Sequence, residues 1–251
     1  TKSSKGGGLR LGHHLLEEWR IYYGYSWTDT VLEDISADAS DYILESAKIN
    51  ITSAFKLSFV RDTRDKFFNT DSGSKNRLSI EYAGGIFGGE AEYTKVEAST
   101  SWYHPLPFST VLHGRLSAGK AFENKDGKLP VYENFYLGGM NSIRGFKSST
   151  ISPINPDNGE KYGGDKMWFA NLELYFPLLT DAGVRGLVFS DFGNVYKQDD
   201  DWDFSSMKKS VGLGVNWLSP MGPLRLVWGY NLDSQPGDED AQWDFAMGGS
   251  F

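Results

Sequence analysis

The chain has no cysteine, which excludes disulfides and thiolate metal centres and leaves its redox compartment open. It also lacks any run near the roughly 18 consecutive apolar residues of a membrane-crossing helix. That absence does not count against a β-barrel. Barrel strands alternate lipid-facing and lumen-facing residues, so their mean hydropathy looks soluble, as the value of −0.42 does here. An excess of basic residues is missing too. The formal net charge is −8, so no nucleic-acid partner is expected. Amphipathic helical periodicity is scarce, and the nearest candidate, Leu15 to Tyr22, alternates as well. The opening Thr1–Gly8 has no apolar core and is no signal peptide; it reads as a flexible lead-in, an engineered junction or a trimmed end.

Chemistry-bearing motifs are equally sparse. Ser, His and Asp occur without a nucleophile elbow, and no helix follows the glycine runs to complete a phosphate cradle. His13 and His14 are adjacent and face opposite sides of a strand, so they do not share a metal. The acidic run Asp199–Asp203 lacks the spaced ligands and glycine of a calcium loop and reads as a solvated outer loop. The expectation is a protein with no catalytic residues, no metal and no cofactor.

What is present is glycine (29 residues) and aromatic side chains (15 %), both high for a soluble globular chain. They fall in eleven segments that alternate with period two. In the second, Trp19, Ile21, Tyr23, Tyr25 and Trp27 oppose Arg20, Tyr22, Gly24 and Ser26. In the seventh, Trp168, Ala170, Leu172, Leu174 and Phe176 oppose Phe169, Asn171, Glu173 and Tyr175. The last sets Trp243, Phe245, Met247 and Phe251 against Asp244, Ala246 and Ser250. The first segment, near Gly8 to His14, is weak. The eighth, Val184 to Tyr196, is nearly all apolar at its start, which leaves its parity ambiguous.

The apolar faces carry Trp and Tyr at their ends, as the aromatic girdles of two bilayer interfaces require. The opposite faces carry Arg, Lys, Glu, Ser and Gly, which suits a wet or polar-plugged lumen. Connections tend to alternate long and short, except around Arg61–Lys75 and Gly84–Gly89. The pattern predicts an all-β, antiparallel transmembrane barrel rather than a soluble sandwich. The longest stretch without strand pattern, roughly Phe122 to Lys166, contains Tyr136-Leu-Gly-Gly-Met-Asn-Ser-Ile-Arg-Gly-Phe146, a glycine-turned tip with one arginine fork flanked by Ile143 and Phe146.

That tip, with Gly138, Gly139, Ile143, Arg144, Gly145 and Phe146, resembles the sixth-loop motif of the BamA superfamily. Trp217–Leu224 resembles that family's penultimate hairpin. Asp191–Tyr196 is similar to the end of its thirteenth strand, and Arg61–Asp65 with Gly73 to the stretch before its ninth, with Asn69 where proline is usual. The resemblance covers nearly the whole chain. It implies a bacterial outer-membrane barrel domain of the surface-antigen type, here the C-terminal 11–12 strands of a sixteen-stranded barrel, without its first strands and N-terminal POTRA domains.

By resemblance, the loop folds into the lumen and Arg144 pairs there with Glu173 and Asp191. Parity independently puts Glu173 on the polar face, whereas Asp191 shares parity with Leu187 and Phe189 and gains no support from the pattern. The C-terminal Trp243, Phe245, Met247, Gly248, Gly249 and Phe251 resemble a β-signal and one side of a lateral seam. The implied function is folding and insertion of other β-barrel proteins. The implied partners are outer-membrane lipid, nascent barrel proteins and accessory lipoproteins. The alternatives are a translocation or two-partner secretion transporter within the family, and a passive outer-membrane pore outside it.

Overall fold

The computed structural model describes residues 2–35, 39–125, 128–156, 158–197, 199–234 and 239–248. Eleven strands form one antiparallel sheet in strict sequence order. They are β1 (Lys2–His14), β2 (Trp19–Leu32), β3 (Ile51–Asp62), β4 (Gly73–Ala83), β5 (Tyr93–Leu106), β6 (Thr110–Glu123), β7 (Lys166–Leu179), β8 (Val184–Tyr196), β9 (Lys208–Ser219), β10 (Gly222–Asn231) and β11 (Ala241–Met247). A single helical turn and a half, α1 (Asp41–Ser46), interrupts the polar loop after β2. Among the described residues β1 and β11 each pair on one side only, so the sheet is an open arc of barrel wall.

Period-two alternation decides the two faces. Along β7, Met167, Phe169, Asn171, Glu173 and Tyr175 are buried, while Leu172 on the other face is 51 % exposed. Large apolar side chains such as Leu213, Trp217, Trp243 and Phe245 stand exposed on that outer face, as a lipid-facing surface requires. The core lies on the inner face instead. Ile143, Phe146, Leu137, Phe135 and Ile151 of the loop after β6 pack there against Met167, Phe169, Ala121 and Val195 of the wall.

Connections at one end of the arc are 15–18, 63–72, 107–109, 180–183 and 220–221; at the other they are 33–50, 84–92, 124–165, 197–207 and 232–240. The break in the long-and-short rule at 63–72 has a structural reason. That connection crosses the inner face, and its Asp71 accepts a 2.7 Å bond from Arg185 on β8. Asn69, within it, occupies the left-handed region at φ +50°, which asparagine tolerates.

One sequence expectation needs correction. The Thr1–Gly8 stretch is not a flexible lead-in over its described part: β1 starts at Lys2 and pairs with β2 from Lys2↔Leu32 onward. Backbone bonds need no side-chain alternation, and Gly6 lets the strands close up, since a Cβ there would sit 2.4 Å from the Trp27 carbonyl oxygen. Pro105 is the next-to-last residue of β5, opposite Val111, and the turn that follows is 107–109. The parity of β8 resolves with Leu187, Phe189 and Asp191 all inward and Val188 outward, because the inner wall there is covered by packed side chains rather than water.

Candidate functional site

The loop 124–165 returns to the inner wall through three backbone bridges, Phe135↔Gly164, Leu137↔Ile151 and Ile154↔Lys161. Its tip is tightened by two glycines. Gly138 sits at φ +110° with the Lys147 carbonyl oxygen 2.2 Å from where a Cβ would be, and the Gly139 amide donates to the Phe146 carbonyl at 2.9 Å. Ser142 Oγ accepts from the Gly138 amide at 2.9 Å and donates to the Gly138 carbonyl at 3.1 Å. Ile143 and Phe146 enter the core on either side, which leaves Arg144 and Gly145 pressed onto the wall.

The wall is cut away to receive them. A Cβ on Gly229 of β10 would lie 2.5 Å from the Gly145 nitrogen. Gly145 itself stands at φ +86°, a conformation that costs glycine little.

Arg144 is 2 % exposed. Its backbone amide and Nε donate to Asp191 Oδ2 at 2.9 and 2.7 Å, and Nη2 donates to Oδ1 at 2.6 Å. Nη1 donates to Glu173 Oε1. The guanidinium lies 3.6 Å from the centre of the Phe189 ring, so its flat face is covered while its edge is bonded.

Glu173 gathers three more donors. Arg225 Nη2 donates to Oε1 at 2.5 Å, His113 Nδ1 lies 2.8 Å from Oε2, and the Tyr175 hydroxyl donates to Oε2. Asn171 links wall to tip, donating to Asp191 Oδ1 at 2.8 Å and to the Ser142 carbonyl at 2.6 Å. The His113 ring stacks on Tyr103, 4.2 Å between centres and 6° between planes. Two guanidiniums thus face two carboxylates with water largely excluded. Such a cluster gains little net stability over an apolar one, but losing one member leaves a buried charge uncompensated.

The structure brings Gly138, Gly139, Ile143, Arg144, Gly145, Phe146, Glu173 and Asp191 into one assembly. It leaves the C-terminal residues outside it. Trp243, Phe245 and Met247 alternate outward on β11, and Gly248, at φ +76°, donates its amide to the Pro223 carbonyl at 2.9 Å. Gly249 and Phe251 lie outside the described residues. Sequence reasoning missed Arg225, His113, Asn171, Phe189 and Gly229 as members of the site. His113 and Arg225 carried a signal, since alternation puts both on the polar face of their strands.

An antiparallel wall with an apolar outer face, a polar inner face and a loop docked onto that inner face defines a transmembrane β-barrel with an occupied lumen. The chain belongs to the Omp85 superfamily, whose domain model matches residues 1–251. It is 37 % identical over 255 residues to the outer membrane protein assembly factor BamA of Nitratidesulfovibrio vulgaris, covering 100 % of this chain and 32 % of that protein. It is 31 % identical over 292 residues to BamA of Neisseria meningitidis serogroup B, covering 99 % of this chain and 36 % of that one. The chain therefore spans about a third of the length of these relatives. In fold it matches the crystal structure of BamA from Haemophilus ducreyi lacking POTRA domains 1-3, with a TM-score of 0.82 at 22 % identity, over 97 % of this chain and 53 % of that one.

Proposed function

We propose that this chain is the C-terminal wall of an outer-membrane assembly factor that folds and inserts β-barrel proteins into the bacterial outer membrane, without a cofactor. The observation that carries the reading is the docked tip, with Arg144 held at once by Asp191 and Glu173 in an Omp85-superfamily barrel. The rest of the protein supplies the first strands and N-terminal POTRA domains, and the tip keeps the wall in shape while a lateral seam works.

In this reading β11 is one side of the seam. A strand with one unpaired edge can template an incoming strand through backbone bonds, with alternate side chains giving specificity. The outward Trp243, Phe245 and Met247, with Gly248, Gly249 and Phe251 beyond, form the chain's own β-signal. Lipid contacts the apolar outer face, nascent barrels contact the seam, and accessory lipoproteins complete the machine.

The test compares wild type with Arg144→Ala and Arg144→Lys in the full-length protein. It scores insertion of a substrate barrel into liposomes and records ion conductance in parallel. Both variants are expected to lose insertion while remaining folded, because lysine cannot reproduce the planar fork that spans two carboxylates. Unchanged insertion would remove the role assigned to Arg144. A wild type that conducts ions but inserts nothing would favour a passive pore, and export of a soluble substrate would favour a secretion transporter.

A further inference from the structure

At the long-connection end of the arc, well away from the Arg144 cluster, a cavity of about 380 Å³ opens between α1, the returning loop and the start of β7. Its lining carries Asp165, 6 % exposed, with neither carboxylate oxygen bonded among the described residues. Asn134, 8 % exposed, also lines it. That amide nitrogen is fully used, donating to the Tyr42 hydroxyl at 3.1 Å and the Tyr162 carbonyl at 2.9 Å, and its oxygen has no donor among the described residues. Among the described residues three acceptor oxygens are therefore buried without donors at one cavity, an arrangement that costs free energy unless a donor arrives. Burial pushes the Asp165 carboxyl up from the usual aspartate range, partly offset by Lys166.

The remaining lining fixes the class of donor. Glu123 and Asp199 add two carboxylates. Tyr42 and Tyr162 meet edge to face, 5.8 Å between ring centres, and Lys197 already holds its ammonium 5.2 Å above the Tyr162 ring. The site thus combines negative charge, orphaned acceptors and an aromatic wall that accommodates a cation. Leu129 and Pro156 give the space an apolar side. A bare metal ion fits poorly: among the described residues no three His, Asp or Glu side chains gather closely enough to hold one. The volume also far exceeds a single ion's.

We infer that this cavity is a binding site for a small organic cation, an amidinium, guanidinium or ammonium group on a flat apolar body, with Asp165 and Asn134 accepting its hydrogen bonds. The cationic head meets the two acceptor side chains and the apolar body lies along the tyrosines. Lys197, at the rim, opposes entry by like-charge repulsion.

Titration calorimetry of the full-length protein in detergent micelles, with benzamidine as the probe, tests this. Benzamidine is expected to bind, and benzamide, its neutral counterpart of the same shape, to bind about tenfold more weakly or worse. Asp165→Asn should weaken benzamidine by about tenfold. Lys197→Ala, at an exposed position that leaves folding alone, should tighten it several-fold. Equal binding of benzamide, or no gain from Lys197→Ala, would overturn the inference. So would calcium binding that depends on Asp165 while benzamidine does not bind.

Discussion

Glu173→Gln removes one charge from the lumen cluster while keeping the shape of the side chain. Glu173 is 3 % exposed and accepts from Arg144, Arg225, His113 and Tyr175. In the variant Asp191 remains as the carboxylate bonded to Arg144, and a neutral amide replaces the carboxylate to which both Arg144 and Arg225 donate. The buried cluster then holds one carboxylate charge fewer against the same two guanidiniums. Breaking a buried pair in this way costs about 3 kcal/mol at the lower end of the observed range. Arg144 keeps three bonds to Asp191, so the lower end applies and the tip remains docked in most molecules.

If docking carries that loss, the population with the tip detached rises about a hundredfold. Hydrogen exchange reads this directly. The amides of Arg144 and Gly139 are bonded in the docked tip, to Asp191 Oδ2 and to the Phe146 carbonyl, each at 2.9 Å. Both should exchange about a hundredfold faster in Glu173→Gln, while the amides of β3 and β4 keep their wild-type rates. Glu17→Gln, at an exposed position, is the control and should change nothing. Unaltered exchange at Gly139 and Arg144 in a folded Glu173→Gln protein would refute the claim that the carboxylate holds the tip.

Gly229→Ala should unseat the tip from the other side, because its Cβ would come within 2.5 Å of the Gly145 nitrogen; thermal unfolding should show a loss of about 1–3 kcal/mol, as for overpacking. Asp71→Ala removes the bond to Arg185, but both side chains are partly exposed, so unfolding should register at most about 1 kcal/mol. Glu90 accepts from the amides of Asn50 and Ile51 at 2.6 and 3.2 Å, and these bonds hold its carboxyl below the usual glutamate range. A lowered folded value means the contribution is present above the unfolded value and lost as pH falls through the folded one. The Asn50 and Ile51 amides should therefore exchange faster in mild acid, measured by exchange at matched intrinsic rates, and Glu90→Gln should remove that pH dependence.

Most of the wall was legible because alternation is a one-dimensional signal. Trp168, Leu172 and Phe176 against Phe169, Asn171 and Glu173 states both faces of β7 without reference to any neighbour. Legibility failed where backbone or tertiary contacts replace the pattern. The Ser and Lys residues of β1 show no apolar face, yet they pair residue by residue with β2. Leu187 and Phe189 look like lipid-facing residues, but they form part of the floor on which the loop and the Arg144 fork rest.

The site divides in the same way. The arginine and its glycines stand out locally. The convergence of His113, Arg225 and Gly229 depends on cross-strand register, which runs Tyr103↔His113↔Glu173↔Phe189↔Gly212↔Gly229 around the wall. No single strand's alternation contains that row.

The docked tip also has a mechanical meaning. Its polar anchors lie on β6, β7 and β8, where Arg115 donates to the Asn141 carbonyl and Glu173 and Asp191 accept from Arg144, and Gly229 of β10 packs against Gly145, all within the arc from β6 to β10. The tip acts as a brace inside that arc, converting five strands into one stiff panel, and both free edges of the sheet lie beyond it. A load applied at β11 or at β1 is expected to bend the wall outside the panel before it strains the brace. Compliance at the edges and rigidity at the centre can therefore coexist in the same wall, and substitutions in the brace should stiffen nothing at the edge while softening everything behind it.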